Sequence, residues 1–180
     1  MVIDIRAILV CSLILLSFLL PYHVTVSALS LTHQQADVFH FLSGGASLAG
    51  FKPAELSHLE DVRIVMNGAA GIFFVLTLLT LFILFHVPDK KSFLFAALAV
   101  FLIDFVLLLL VLFHFDQLFS SFHSLFFARG TWIFPSDSLL IQLFPLSFFI
   151  ATTKRILIGS LFSALILLGV YHLYSKTKTK

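Results

Sequence analysis

Two stretches of this sequence hold a histidine where acid–base chemistry could be done. The first is Glu55-Leu56-Ser57-His58-Leu59-Glu60-Asp61-Val62-Arg63. Ser57 followed by Glu60 predicts a capping box that starts a helix at His58. His58 would then sit at the positive end of a helix dipole, a field that disfavours imidazolium and leaves a neutral ring able to accept a proton. Asp61 lies three residues on, on the same helix face, where it could orient that ring. The second stretch is Phe122-His123-Ser124-Leu125-Phe126-Phe127-Ala128-Arg129-Gly130-Thr131-Trp132-Ile133-Phe134. A helix continued past Phe115 would align Asp116, Ser120, His123 and Ser124 as a narrow polar stripe among phenylalanines. That is the pattern of a helix lying in a lipid interface, and Trp132 suits an interfacial anchor.

These stretches need elements to hold them, and composition says which kind. The chain is 60% hydrophobic and 11% charged, with 23 phenylalanines and a mean hydropathy of +1.10. A soluble domain of this length cannot hide so much apolar surface, so the chain reads as an integral membrane protein. Apolar windows predict spans over about 5–22, 62–87, 92–115 and 155–175. The first follows Arg6 and is ended by Pro21. It reads as a retained helix, with cleavage as a signal near Val26-Ser27-Ala28 as the alternative. Asp104 falls mid-span, where an unpaired charge costs at least a few kcal/mol, so it should be protonated or hydrogen-bonded within the bundle.

The flanks set the orientation. The turn Val87-Pro88-Asp89-Lys90-Lys91 and the tail Lys176, Lys178 and Lys180 belong in the cytoplasm, and four spans put Arg6 there too. The outer loops are then 23–57 and 116–154, both on the extracytoplasmic side, with 1–180 as a single membrane domain. Val24, Val26 and Ala28 alternate with polar neighbours, and Val38-Phe39-His40-Phe41-Leu42 precedes Ser43-Gly44-Gly45 like a strand before a hairpin turn. The expected fold is an all-α integral membrane protein: four transmembrane helices with a small extracytoplasmic β-containing cap and an interfacial helix.

This topology brings His58 and His123 to one membrane surface, with Asp61 and Arg63 beside them. Such a pair could move a proton in acyl transfer without a serine or cysteine nucleophile. A net charge of +2 gives no basis for nucleic-acid binding. The single cysteine, Cys11, excludes an internal disulfide and a cysteine-built metal site. Neither a metal nor a cofactor is called for. The reading from another class is a non-catalytic polytopic membrane partner or transporter subunit, whose outer loops dock a second protein and need no paired histidines.

The residues resemble a known family. His58-x-x-Asp61-Val62 before the second span is similar to one of its signatures. Phe122-His123-x-Leu125-Phe126-Phe127, Gly130-x-Trp132-x-Phe134 and Leu140-Ile141-x-Leu143-Phe144-Pro145 with Phe148-Phe149 are similar to another. The family is the bacterial lipoprotein intramolecular transacylase, Lit, and the resemblance covers four spans and both outer loops. The first outer loop here is shorter than the family's. The resemblance implies a bacterial plasma-membrane enzyme acting, without cofactor, on diacylated lipoproteins amid membrane lipid. It would move the sn-2 acyl chain of a diacylglyceryl-cysteine to that cysteine's α-amine. His58 and His123 match the family's two catalytic histidines. We assign His58 as general base, oriented by Asp61, and His123 to the leaving alkoxide or the oxyanion; these two roles are interchangeable. Arg63 would hold the oxyanion or a lipid phosphate, Trp132 would support the site, and Phe122, Phe126 and Phe127 would bind the acyl substrate.

Overall fold

A computed structural model describes residues 4–177 apart from Ala46 and Pro88, with side chains described to residue 175. The helices are α1 (Ile5–Ser27), α2 (His33–Leu42), α3 (Pro53–His86), α4 (Lys90–Phe113), α5 (Phe115–Phe126), α6 (Leu139–Leu143) and α7 (Leu146–Thr177). Four of them, α1, α3, α4 and α7, are long and apolar enough to cross a membrane. Pro88 in the expected inner turn, and Lys178 and Lys180 of the expected basic tail, lie outside the described residues.

The bundle closes by small residues and buried hydroxyls. Ala96, Ala97 and Ala164 are fully buried. They allow the close backbone approach that substitutes in lipid for a hydrophobic driving force. Ser160 of α7 donates to Asp104 Oδ1 of α4 at 2.7 Å, so the mid-span acid is hydrogen-bonded as expected. Thr80 of α3 donates to Ser12 of α1 at 2.9 Å. Helix α1 does not end at Pro21; it continues to Ser27. A proline inside a helix sacrifices one backbone bond, which a packed membrane helix tolerates. Here α7 receives the ring: a Cβ placed on Gly159 would lie 2.6 Å from Pro21 Cβ.

The expected β cap is absent; among the described residues there is no strand. Val24 and Val26 belong to the end of α1, and residues 38–42 form half of α2. A local helix signal outweighed the alternation. Thr32 Oγ1 accepts from Gln35 N–H at 3.3 Å, and Gln35 Oε1 accepts from Thr32 N–H at 3.0 Å, a complete capping box. Val38, Phe41 and Leu42 then fall on one helical face and are buried. Ser43-Gly44-Gly45 ends this helix instead of turning a hairpin. Gly44 takes φ of 110°, and Gly45 N–H reaches back to the His40 carbonyl at 2.9 Å.

Two apolar cores divide the molecule. Leu9, Leu13, Ile83, Phe93, Ala96, Ala97 and Leu167 form one, where α4 begins. Val38, Phe41, Leu42, Leu59, Leu140 and Phe144 form the other, where α2, α6 and the start of α3 meet. At 34 residues, α3 is roughly 50 Å long, against about 30 Å of bilayer hydrocarbon. Its polar first turns, through Arg63, therefore project beyond the apolar stretch and carry His58 out of the spanning part.

Candidate functional site

Helix α3 starts at Pro53, five residues before the expected start, so Ser57 and Glu60 lie inside the helix and cap nothing. The competing signal is Pro53 at the first helical position, with Glu55 two residues on. Glu55 Oε2 accepts from the Lys52 backbone N–H at 2.7 Å. Its other oxygen accepts from the Leu140 N–H, in the first turn of α6, at 3.0 Å. One carboxylate, only 1% exposed, thus satisfies free N–H groups at two helix N-termini. It clamps the segment leading into α3 to the one that carries α6. Sequence reasoning read Glu55 only as part of a motif and missed this role. The available signal was a glutamate two residues after a helix-starting proline, but its second partner is 85 positions away.

One turn beyond the clamp, His58 is 6% exposed and faces into an aromatic nest. It no longer borders free N–H groups, so the expected dipole effect does not act on it. Its ring centroid lies 4.8 Å from that of Phe127 and 5.6 Å from that of Phe134. His123 comes from α5, which is a separate helix after a break at His114. Asp116, Ser120 and Ser124 are exposed, while His123 is 8% exposed and turned inward. The stripe therefore divides: its small polar members face outward and its histidine faces the bundle. His123 packs on Phe119 at 3.9 Å and on Trp132 at 4.9 Å between centroids. The two imidazoles stack with centroids 6.2 Å apart and planes at 29°.

The hydrogen bonds assign their chemistry. His123 Nδ1–H donates to the Phe119 carbonyl at 2.8 Å, because a carbonyl can only accept. In the neutral ring Nε2 then keeps its lone pair. His58 Nδ1 is buried and has no partner. Burial, then the neighbouring His123, push the His58 pKa down to about 4, partly opposed by Asp61. Burial also lowers that of His123, opposed by its bond to Phe119. Both rings are therefore neutral at physiological pH.

The remaining expected residues divide. Asp61 acts on His58 through its charge and makes no hydrogen bond to the His58 Nδ1. Arg63 turns toward α2, its guanidinium 5.4 Å from the centre of the Phe41 ring. Phe127 touches both histidines, Phe122 touches His123, and Phe126 packs on Phe122. Phe122 and Phe126 are about half exposed, leaving an apolar margin beside the pair. Trp132 does not serve as a plain interfacial anchor. A turn with Gly130 at φ of 84°, braced by the Thr131 hydroxyl on the Ala128 carbonyl at 2.9 Å, swings its ring onto His123. The indole N–H is buried without an acceptor. An unmet buried donor costs about 1–3 kcal/mol, so each such group calls for an explanation.

The sequence profile of a family described as lipoprotein intramolecular transacylase Lit matches residues 20–149. The fold is similar to the in meso structure of the membrane integral lipoprotein intramolecular transacylase Lit from Bacillus cereus. The TM-score is 0.84 and the identity 17%, over 97% of this chain and 96% of that one. Two variants of that protein, with a histidine replaced by arginine or by alanine, each match with a TM-score of 0.77 at 17% identity. Each match covers 97% of this chain, and 92% and 94% of theirs. Among curated protein sequences none matches. The profile spans well over half of the chain, so this protein belongs to the lipoprotein intramolecular transacylase family, Lit, whose members are acyltransferases.

Proposed function

We propose that the chain acts on diacylated lipoproteins in the plasma membrane of a bacterium, with its histidine pair on the extracytoplasmic side. The sn-2 acyl chain of the diacylglyceryl-cysteine moves to the α-amine of the same cysteine. The observation that carries this reading is two neutral imidazoles stacked at one end of the bundle with ring nitrogens unspent. Large apolar side chains cover the outside of α3 and α4, as lipid contact requires. Lys90 and Lys91 start α4, at the end of the bundle opposite the pair, which supports an extracytoplasmic site.

The chemistry follows from neutral rings. The neutral α-amine attacks the ester carbonyl and forms the C–N bond. His123 Nε2 takes the amine proton and returns it to the glycerol oxygen as the C–O bond breaks. We give His123 the proton-carrying role, and His58 the supporting one, because the Phe119 carbonyl fixes the His123 tautomer. Burial also leaves His58 a weak base. His58 Nδ1 accepts the second amine N–H and holds the nucleophile in place. Amine and ester belong to one molecule, so positioning supplies much of the rate. Phe122 and Phe126 offer the apolar margin for the acyl chain.

The test is to express the chain in a bacterium whose lipoproteins remain in the diacylglyceryl form. Intramolecular transfer leaves the peptide mass unchanged, so fragment ions of the N-terminal peptide must report an N-acyl group and a lyso-glyceryl thioether. Unchanged fragments would refute the reading. A cysteine placed at Ser136 should be labelled from outside the same cells; protection there would reverse the orientation.

The acid–base assignment sets the pH profile. A free α-amine has a pKa near 8, so turnover should rise about tenfold per pH unit up to that value and then level. Burial lowers the pKa of both histidines, that of His58 to about 4, so their protonation adds a second, steeper fall only below the ordinary histidine range. A second inflection between pH 6 and 7 would mean an ordinary, solvated histidine is in use.

A further inference from the structure

The acyl transfer passes through a tetrahedral intermediate whose carbonyl oxygen gains negative charge, and neither histidine nitrogen given a role above meets it. In the roles above, His123 carries the proton and His58 holds the amine. A neutral donor beside them remains unused. The Trp132 ring lies against His123 with centroids 4.9 Å apart, and its Nε1–H is shut off from solvent with no acceptor. An interfacial anchor would present that N–H to headgroups and water; this one is buried, with its ring beside Phe119 and His123. The turn through Gly130 and Thr131 gives the ring its direction without using its N–H. Arg63, the other expected partner for the oxyanion, is turned toward Phe41 of α2.

We propose that the Trp132 indole N–H is the oxyanion donor of the transfer, hydrogen-bonding the ester carbonyl oxygen as it becomes an alkoxide. The bond forms in the ester, strengthens as the amine adds, and is released when the C–O bond breaks and the amide forms. No proton leaves the indole. A donor held ready in a dry site pays no reorganisation when charge develops, which is why one such group can dominate a barrier. The inference rests on the acyl-transfer reading above.

The chain has a single tryptophan, which allows a test by one atom. Replacing tryptophan throughout by β-(3-benzothienyl)alanine keeps the bicyclic shape at position 132 and puts sulfur where the N–H was. Measured on purified protein with a synthetic diacylglyceryl-cysteine peptide, kcat should fall on the order of 100-fold. KM should stay within a few-fold, and the melting profile should be unchanged. Unchanged kcat in the folded isostere protein would overturn the proposal. A readout free of turnover comes from the 15N-labelled indole in the natural protein. Its N–H proton should shift downfield on binding a phosphonate analogue of the tetrahedral intermediate, and hold still with an ether lipid lacking the carbonyl. No shift with bound phosphonate would likewise overturn it. If the natural chain forms no N-acyl product at all, the acyl-transfer reading fails, which these two outcomes do not resemble.

Discussion

Replacing His58 or His123 by alanine should each slow acyl transfer by 10²- to 10⁴-fold, the usual worth of a positioned acid or base. Replacing both should cost little more than replacing one. The rings face each other at 6.2 Å and, in the proposed mechanism, serve one amine, so losing either removes the geometry the other needs; groups that work as a unit are not additive. His58 accepts no hydrogen bond and donates none from Nδ1, and His123 bonds only within its own helix. Neither substitution breaks a hydrogen bond between elements, and expression should be normal. Asp61→Asn should be milder, because Asp61 touches the reaction only through its charge on His58. The measurement is the fraction of lipoprotein N-termini that carry an N-acyl fragment. Full conversion by either folded alanine variant removes that histidine from the mechanism, and strictly additive losses would mean the two act in separate steps.

Glu55→Ala should be the most destabilising single change outside the bundle. It strips the acceptor from two N–H groups, one of them the buried Leu140 N–H. Hydrogen bonds to a charged group contribute about 1.5–3 kcal/mol each. The Lys52 side can turn to water, so a net loss of about 3 kcal/mol is expected. For a chain of this size that lowers Tm by about 10 °C. Activity should fall by more than stability explains. Freeing α6 from α3 loosens the segment that carries Phe134 against His58 and Trp132 against His123, and displacement by about 1 Å can cost 10²-fold. Glu55→Gln should fall between, since its amide nitrogen faces one N–H donor where an acceptor is needed. Thermal unfolding in detergent, with the rate measured well below each variant's Tm, separates the two effects. An unchanged Tm for Glu55→Ala would show that the clamp contributes nothing.

The parts legible in the sequence were those set by local pattern. Long apolar windows announced four long helices, and the aromatic run around His123 announced a helix beside them. Placing both histidines at one surface needed only the order of the helices. The misreadings came where two local signals competed or where a partner lay far along the chain. Val38 to Leu42 before Ser43-Gly44-Gly45 reads well enough as a strand entering a hairpin, but Thr32 and Gln35 had already begun a helix. Ser57 and Glu60 fit a capping box, yet Pro53 starts the helix a turn earlier. Asp61 and Arg63 sit at sensible spacings, but spacing on one helix does not say which neighbouring element each side chain meets. Glu55 and the direction of the Trp132 N–H were not legible, because both depend on how the second outer segment folds back onto the first.

The seating of Pro21 on Gly159 has a consequence for how the protein is made. The two groups lie on helices at opposite ends of the described chain, so the bundle cannot close until α7 has been inserted. Both histidine-bearing segments precede α7 in synthesis order. They are made before the frame that aligns them exists. Assembly is therefore a late, long-range event, the kind that carries the largest loop-closure penalty and sets the folding rate. A chain halted before α7 would carry both histidines without the helix that aligns them.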